Sequence, residues 1–260
     1  NQHSLKLNFI LNGKHNNIGL IFSNSRGGIL NYSNQKNDWY NMSYSMGTPE
    51  EFLIDIENIL KFKKKIKKIV VFIDETTLFE DYKRHKNQLI RKRINLNSKL
   101  ETIPYLFSPF NFSILRRMIL PSNRTIVFDI YNTGSYIEKN FKYENKRPNC
   151  YNVILKKDSS KVFREKLSVL KKIQELCLKN DVELKFFNHP ISSRNYESSK
   201  KKIELFLNFL DYININGIHS ISVFDCSIVE FNDNQWRDIS HYNNSIGEIV
   251  ESRVFKEFTN

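Results

Sequence analysis

The chain has 260 residues, 40% of them hydrophobic, with 20 Phe and 12 Tyr. This size and composition are typical of one folded α/β domain and exclude an intrinsically disordered chain. The 40 Lys and Arg residues outnumber the 28 Asp and Glu residues, and the resulting formal net charge of +12 favours an anionic partner such as a nucleic acid, an acidic polymer or a lipid surface.

Cysteine spacing and hydropathy predict neither a metal site nor a membrane span. Cys150, Cys177 and Cys226 show no C-x-x-C spacing and no nearby histidine pair, so we expect no zinc site and no disulfide framework, although one bridge stays open. No cofactor is predicted. No apolar run approaches the ~18 residues of a transmembrane helix. The sequence begins at Asn1 rather than Met, which is compatible with removal of a signal peptide or an N-terminal anchor.

The first predicted strand, residues 18–22, leads into a stretch of small residues. Residues 1–17 before it are polar and basic, with a few apolar packing points: Leu5, Leu7, Phe9 and Ile10. A strand that ends in small residues before a helix presents a side chain at the carboxyl edge of a sheet, where open α/β folds place their sites. Ser25 therefore has two interpretations, as a helix cap or as a nucleophile.

A helix is predicted to begin at Pro49, because proline followed by acidic residues suits a first helical turn. Its apolar stripe comprises Phe52, Leu53, Ile56, Ile59, Leu60 and Phe62. Six lysines within residues 61–68 indicate a helix end and a solvated loop, with a polyanion site as the alternative. Residues 68–73 form a second buried strand that ends at Asp74, and this strand–helix–strand order implies a right-handed parallel crossover.

The centre of the chain, about residues 79–158, is irregular and predicts an insertion or lid within one domain that spans residues 1–260. From residue 159 the rhythm is regular, with predicted helices at 162–178, 198–212 and 245–255 and predicted strands at 182–187 and 220–224. This alternation predicts an α/β fold, a three-layer α/β/α sandwich with a mainly parallel sheet.

The stretch before the last helix contains an aspartate three residues ahead of a histidine, Asp238 and His241. This spacing lets the carboxylate accept the Nδ1 proton and leaves Nε2 free to take a proton from a nucleophile. Two polar residues before a helix are also common without any catalytic role, so the pair gains weight only together with Ser25.

Three blocks in this order resemble the SGNH (GDSL-like) hydrolase superfamily: S-N-S-R-G at residues 23–27, Y-N-x-S-x-S-x-G-T-P-E-E at 40–51 and D-x-x-H-Y at 238–242. Within it, the likeness is to the branch that contains the D-alanyl-transfer protein of teichoic acid and the alginate-type O-acetyltransferases of bacterial cell-surface polysaccharides. The resemblance covers residues 18–75 and 159–255 and implies an SGNH, flavodoxin-like sheet.

Carried over by position, the resemblance implies Ser25 as nucleophile and Asp238 and His241 as its triad partners. The backbone N–H groups of Ser25 and Gly47 would form the oxyanion hole. Further pocket candidates are Asn24, Arg26, Asn41, Asp74 and His189. The chain departs from the pattern at Ser23, which replaces the first-block glycine, at Met46 or Gly47, where the second-block register is open, and near Asp74, where an asparagine is usual.

The function that this resemblance implies is serine-dependent acyl-ester chemistry on a cell-surface carbohydrate, by an O-acetyltransferase or an esterase (deacetylase). A non-catalytic carbohydrate-binding or polysaccharide-assembly protein is the alternative. A nucleic-acid binder rests on charge alone and is not expected. The implied partners are a glycan or acylated carbohydrate and a membrane acyl-donor protein. The expected location is the bacterial cell envelope, periplasmic or membrane-anchored, rather than the cytoplasm.

Overall fold

The computed structural model describes residues 2–12, 19–31, 39–62, 65–79, 125–129, 133–139, 159–224, 227–230, 232 and 234–259. The helices are α1 (Gln2–Asn12), α2 (Pro49–Phe62), α3 (Glu75–Phe79), α4 (Ser159–Lys179), α5 (Ser193–Ser198), α6 (Lys200–Ile215) and α7 (Asn244–Thr259), with a 3-10 helix at Ser25–Ile29. The strands are β1 (Gly19–Phe22), β2 (Trp39–Asn41), β3 (Lys68–Ile73), β4 (Thr125–Phe128), β5 (Tyr136–Lys139), β6 (Glu183–Asn188), β7 (Ile191–Ser192), β8 (Ser220–Ser222) and β9 (Ile228–Val229).

Five strands form the main sheet in the order β2-β1-β3-β6-β8, and every neighbouring pair is parallel. Strands β4 and β5 form a separate antiparallel pair, and β7 and β9 form a short parallel one. The predicted α/β fold with a mainly parallel sheet is confirmed. The strand order reverses at β1, whose neighbours β2 and β3 both follow it in the chain, and such a switch point opens a crevice at the carboxyl ends of the strands.

Strand β3 lies at the centre of the sheet and is covered on both faces. Ile69, Val71 and Ile73 pack in the cluster that includes the buried faces of α2, α4 and α6. Val70 and Phe72 point to the opposite face, where the cluster includes α7. A strand buried on both faces needs apolar residues at every position rather than at every second one, which explains why its sequence is a continuous apolar run.

Helix α2 begins where the sequence predicts, and Glu51 in its first turn accepts hydrogen bonds from Thr48 just before the helix. The backbone N–H and the hydroxyl of Thr48 both donate to Oε2 of Glu51, at 3.1 and 3.2 Å, which satisfies polar groups at the helix start. Phe62 was expected on the apolar stripe, and that expectation was wrong because the side chain is 65% exposed in the last turn.

Helix α1 was not predicted, although Ile10 is buried as a packing residue. Its buried positions follow helical spacing, but two of them are polar. Nε2 of His3 lies 2.7 Å from Oδ2 of Asp55, and Nζ of Lys6 donates to the carbonyl of Ser43 at 2.5 Å. A hydrophobic pattern cannot reveal a helix whose inward face carries a histidine and a lysine.

Other boundaries also shift. The predicted helix at 198–212 is α6, which begins at Lys200 and continues to Ile215, whereas the short α5 before it was not predicted. The predicted strand at 220–224 is shorter and ends at Ser222. Strand β2 was missed because its three residues show no alternation and owe their conformation to pairing with β1.

The region from about 79 to 158 lies mostly outside the described residues, so the predicted insertion or lid stays a prediction. Its described part contains the β4–β5 pair, and Tyr136 of β5 packs in the same cluster as Ile29 at the end of the 3-10 helix. In the described part of the chain, no helix combines the length and apolarity needed to cross a bilayer.

Candidate active site

Ser25 is the first residue of the 3-10 helix that follows β1. Asn24 caps this helix, because its Oδ1 accepts the backbone N–H of Arg26 at 2.9 Å. The capping role that the sequence left open for Ser25 thus falls to its neighbour. Ser25 itself is partly exposed at the switch-point edge of the sheet, within a segment that is otherwise buried.

His241 and Asp238 lie directly opposite this serine. Oγ of Ser25 is 3.0 Å from Nε2 of His241, and Nδ1 of His241 is 2.9 Å from Oδ2 of Asp238. Because an ionised carboxylate can only accept, Nδ1 carries the imidazole proton, and Nε2 accepts from the serine hydroxyl. The three side chains therefore form a continuous line of hydrogen bonds with the polarity that proton removal from Ser25 requires.

Asp238 is held in its ionised form by local hydrogen bonds. Its Oδ1 accepts the backbone N–H groups of Ser240 at 2.8 Å and of His241 at 2.9 Å. Burial opposes ionisation, but the contacts from His241 and these N–H groups outweigh it and keep the pKa of Asp238 below its usual range. The carboxylate can thus orient His241 and stabilise its protonated form.

A second serine–histidine pair lies beneath the first. Oγ of Ser23 is 2.6 Å from Nε2 of His189, whose Nδ1 is 3.0 Å from the hydroxyl of Tyr242. Ser23 has no exposed surface, and His189 is 1% exposed, so neither side chain can meet a substrate from solvent. Burial and the nearby Arg26 guanidinium lower the pKa of His189 well below its ordinary value. Accessibility and the carboxylate partner both distinguish the Ser25–His241 pair from this one.

A buried charge cluster supports the 3-10 helix on its other side. Arg26 forms a two-pronged ion pair with Glu75, and its NH1 lies 2.7 Å from Oε2 of Glu75. Asn195 of α5 donates to Oε1 of Glu75 at 2.9 Å. Asp74 accepts from Asn24 and from the backbone N–H of Thr76.

These contacts bear on two of the pocket candidates. Burial opposes the charges of Arg26 and Glu75, but their mutual attraction raises the pKa of Arg26 and lowers that of Glu75, so both stay charged. Asp74 is 1% exposed, and NH1 of Arg26 lies 3.6 Å from its Oδ2. The charges of this cluster are therefore engaged within the protein, next to the nucleophile segment.

The second sequence block, residues 40–51, contacts the segment that carries Ser25 through the side chain of Asn41. The Asn41 side chain donates to the carbonyls of Gly27 and Leu30, at 2.7 and 2.8 Å, and accepts the N–H of Ser43. Its amide thus ties β2 to the middle and to the C-terminal end of the 3-10 helix.

The residue expected to donate to an oxyanion is Gly47, and its N–H donates at 3.2 Å to the carbonyl of Tyr44. Met46, the alternative register, has φ of 57°, a left-handed conformation that favours glycine. The N–H of Ser25 stands at the first position of its helix, where no intrahelical acceptor exists.

Sequence reasoning missed several residues that shape the site. Tyr242 and Glu75 directly follow predicted residues, so their position was a usable signal. No sequence pattern pointed to Ser192 or Asn195. The Ser192 hydroxyl nevertheless donates to the carbonyl of Ile239 and so links β7 to the loop that carries His241. Among the described residues, no group of three or more His, Cys, Asp or Glu side chains is placed to hold a metal ion.

No protein-family model matches the sequence, and no curated protein matches it significantly. Solved structures do match. A Streptococcus pneumonia protein provisionally described as a platelet activating factor aligns with a TM-score of 0.54 and 9% identity over 98% of this chain and 90% of its own. A GDSL-like lipase from Bacteroides thetaiotaomicron aligns with a TM-score of 0.50 and 10% identity over 99% of this chain and 98% of its own.

At such low identity these likenesses show the fold alone. The chain has the parallel α/β architecture of a GDSL-like lipase. GDSL-like lipases are also called SGNH hydrolases. The resemblance inferred from the three sequence blocks is supported to that extent. The D-alanyl-transfer or alginate-type branch is a finer assignment that these structures do not reach.

Proposed function

We propose that this protein performs serine-dependent acyl-ester chemistry with Ser25 as nucleophile, His241 as general base and Asp238 as its orienting carboxylate. The observation that carries the proposal is the line of hydrogen bonds from Ser25 through His241 to Asp238 at a partly exposed sheet edge. A GDSL-like lipase with the same fold supports ester chemistry as the reaction class.

In the first step, Oγ of Ser25 attacks the carbonyl carbon of an ester while Nε2 of His241 takes the hydroxyl proton. The carbonyl oxygen becomes an oxyanion that the N–H of Ser25 can meet. When the tetrahedral intermediate collapses, the bond to the alcohol oxygen breaks, and His241 returns the proton to the departing alkoxide. The products of this step are a free alcohol and an acyl-Ser25 ester.

In the second step, an incoming hydroxyl attacks the acyl-serine and gives its proton to His241. When the bond between the acyl carbon and Oγ of Ser25 breaks, His241 returns this proton to Oγ and the free serine is regenerated. Water yields a carboxylic acid, and a sugar hydroxyl yields a new ester. The resemblance to the D-alanyl-transfer and alginate-type branch supports a cell-surface carbohydrate as substrate. We therefore propose O-acetyl transfer to, or removal from, a glycan in the bacterial cell envelope, with a membrane protein as acyl donor in the transfer case.

The test is p-nitrophenyl acetate turnover together with fluorophosphonate labelling and peptide mapping by mass spectrometry. We expect wild-type protein to be labelled on Ser25 and to release nitrophenol, and Ser25→Ala to do neither while it keeps the wild-type melting temperature. Ser168→Ala, which removes an exposed hydroxyl from α4, serves as the matched serine control and should behave as wild type.

Adding an oligosaccharide acceptor separates the two outcomes of the second step. Transfer adds one acetyl mass to the oligosaccharide, whereas hydrolysis releases only acetate. Labelling of a folded protein at a site other than Ser25, or equal turnover by Ser25→Ala, would contradict the proposal. Glycan binding without any Ser25 adduct would instead favour the non-catalytic carbohydrate-binding protein, a function that agrees with the engaged N–H of Gly47.

A further inference from the structure

Three fully buried side chains connect the segment that carries Ser25 with the loop that carries His241. Ser23 contacts His189 at 2.6 Å, and His189 contacts the Tyr242 hydroxyl at 3.0 Å. Ser23 stands two residues before Ser25, and Tyr242 immediately follows His241. We call Ser23, His189 and Tyr242 the buried bridge. It joins the two reacting segments from below, independently of the contact between Ser25 and His241 themselves.

The bridge crosses the sheet. His189 directly follows β6, whereas Ser23 directly follows β1, and β3 lies between these two strands. The imidazole spans this gap by lying flat on the ring of Phe72 in β3, with ring centroids 4.3 Å apart and planes inclined by 11°. Stacking of this kind fixes the plane of the ring. Both nitrogens are thereby aimed at their partners on either side.

The bridge consists of groups that stay uncharged. Burial lowers the pKa of His189 well below its ordinary value, so the imidazole is neutral and has one N–H donor and one acceptor nitrogen. Burial also raises the pKa of Tyr242 well above its ordinary value, so the phenol keeps its proton. One hydrogen bond on each side therefore satisfies the ring, and breaking either leaves a buried nitrogen unpaired, which is costly.

The side chain of Ser23 also packs closely against Gly27. A methyl group on Gly27 would lie 2.5 Å from Cβ and 2.5 Å from Oγ of Ser23, so glycine at 27 leaves the room that the Ser23 side chain occupies. The serine at position 23 and the glycine at position 27 are thus sterically matched, and the hydroxyl is directed towards His189.

We infer that His189 is a positioning residue that sets the separation of Ser25 and His241 by holding Ser23 and Tyr242. The inference rests on the proposed function, because it assigns the bridge a role in the same reaction. It gives a physical reason for two features of the sequence that local patterns left unexplained: a serine where the resembled family has glycine, and a histidine at the end of β6.

The test uses two substitutions that each remove one hydrogen bond and little else, Tyr242→Phe and Ser23→Ala, together with the double variant. We expect each single variant to lower kcat for p-nitrophenyl acetate by about 10- to 100-fold with little change in KM, since small misplacement of a reacting group has effects of this size. The double variant should be little worse than either single variant, because one break already uncouples the two segments. The rate of fluorophosphonate labelling of Ser25 should fall in parallel.

Ile203→Val is the matched control, because Ile203 is fully buried in α6 on the other face of the sheet and the change lowers stability without touching the bridge. A purely structural role predicts that Tyr242→Phe loses melting temperature as Ile203→Val does while kcat is unchanged. That result would overturn the inference.

Crystal structures of wild type and Tyr242→Phe provide a readout that needs no turnover. We expect the distance from Ser25 Oγ to His241 Nε2 to grow from 3.0 Å in the wild type to beyond about 3.5 Å in the variant, outside hydrogen-bond range. An unchanged distance overturns the positioning role whether or not the protein is active. Absence of a Ser25 adduct in the wild type contradicts the proposed function and leaves the crystallographic result to decide the bridge.

Discussion

Oγ of Ser25 and Nε2 of His241 are 3.0 Å apart although the two residues are separated by 216 positions in the chain. One lies at the carboxyl end of β1 and the other in the loop before α7, and the parallel sheet brings both to the same edge. This contact places a nucleophile next to the pair formed by Asp238 and His241. Substitutions at these residues therefore test whether the site is catalytic or only structural.

Asp238→Asn should lower kcat for p-nitrophenyl acetate by about 10⁴-fold with little change in KM. An asparagine amide can donate to Nδ1 of His241, which moves the imidazole proton to Nε2 and removes the acceptor for the Ser25 hydroxyl. Steady-state kinetics measure the effect. Asp211→Asn, at an exposed position on α6, is the matched control and should match wild type. Normal turnover by Asp238→Asn would show that Asp238 only caps the backbone of Ser240 and His241.

Arg26→Met should destabilise the protein by about 3–5 kcal/mol, because it leaves the buried Glu75 carboxylate without its counter-charge. Urea unfolding followed by circular dichroism gives the free energy of unfolding. The double variant Arg26→Met/Glu75→Leu should be less destabilised than Arg26→Met, since it removes both charges together.

The surface offers a control for this ion pair. Arg253 and Glu257 form an i,i+4 pair on α7 at 3.1 Å with partly exposed side chains. Arg253→Met should therefore change the free energy of unfolding by only about 0.5 kcal/mol. A loss of similar size in Arg26→Met would mean that the Arg26–Glu75 pair contributes no more than a surface contact.

Gly27→Ala should destabilise the protein by about 1–3 kcal/mol, because its methyl group would overlap Cβ and Oγ of Ser23 at 2.5 Å. Gly247→Ala is the matched control. It lies inside α7, its methyl group would meet nothing closer than 3.8 Å, and alanine favours the helix by about 0.5–1 kcal/mol over glycine. Thermal and urea unfolding measure both variants.

A second-site change tests the cause of the Gly27→Ala loss. Ser23→Gly removes the atoms that the new methyl group overlaps, so Gly27→Ala should cost less in a Ser23→Gly background than in the wild type, with Ser43 Oγ at 3.0 Å as the remaining close neighbour. A Gly27→Ala protein that is as stable as wild type would contradict the steric account.

Lys6→Met should remove a pH dependence of stability. Burial lowers the pKa of Lys6 to about 7, whereas an unfolded chain has its lysine pKa near ~10.4. Between these values the unfolded state binds a proton that the folded state does not, so the wild-type free energy of unfolding rises with pH by up to about 1.4 kcal/mol per unit. The free energy of unfolding of Lys6→Met should lack this rise with pH.

The measurement is urea unfolding between pH 7 and 8.5, expressed as the difference between wild type and Lys6→Met. Burial also raises the pKa of Cys177 to about 12, which makes stability fall with pH once unfolded thiols ionise near ~8.5, but both proteins share this contribution and it cancels in the difference. Lys171→Met, exposed on α4, is the matched control and should keep the wild-type slope. Equal slopes in wild type and Lys6→Met would mean that Lys6 is protonated in the folded protein.

Local patterns predicted the parts of the fold that depend on local physics. Strand β3 and the start of α2 were placed correctly because a continuous apolar run and a Pro-Glu-Glu helix start each act within a few residues. Helix α1 was missed since two of its inward residues, His3 and Lys6, are polar and acquire partners only in the folded chain.

The candidate site divides in the same way. The i,i+3 spacing of Asp238 and His241 was enough to predict their contact, because both lie in one loop. The spacing of residues 23–27 could not show which serine faces solvent. That depends on His189, which lies 166 positions from Ser23 and closes over it.

The sequence by itself therefore determined the strands and helices with regular hydrophobic periods and the carboxylate–imidazole pair, because both follow from spacing along the chain. Only the tertiary structure decided that Ser25 lies within hydrogen-bond distance of His241, that His189 is buried rather than open to a pocket, and that Arg26 pairs with Glu75. These contacts join segments whose neighbours are set by the order of strands in the sheet, and no local pattern of side chains encodes that order.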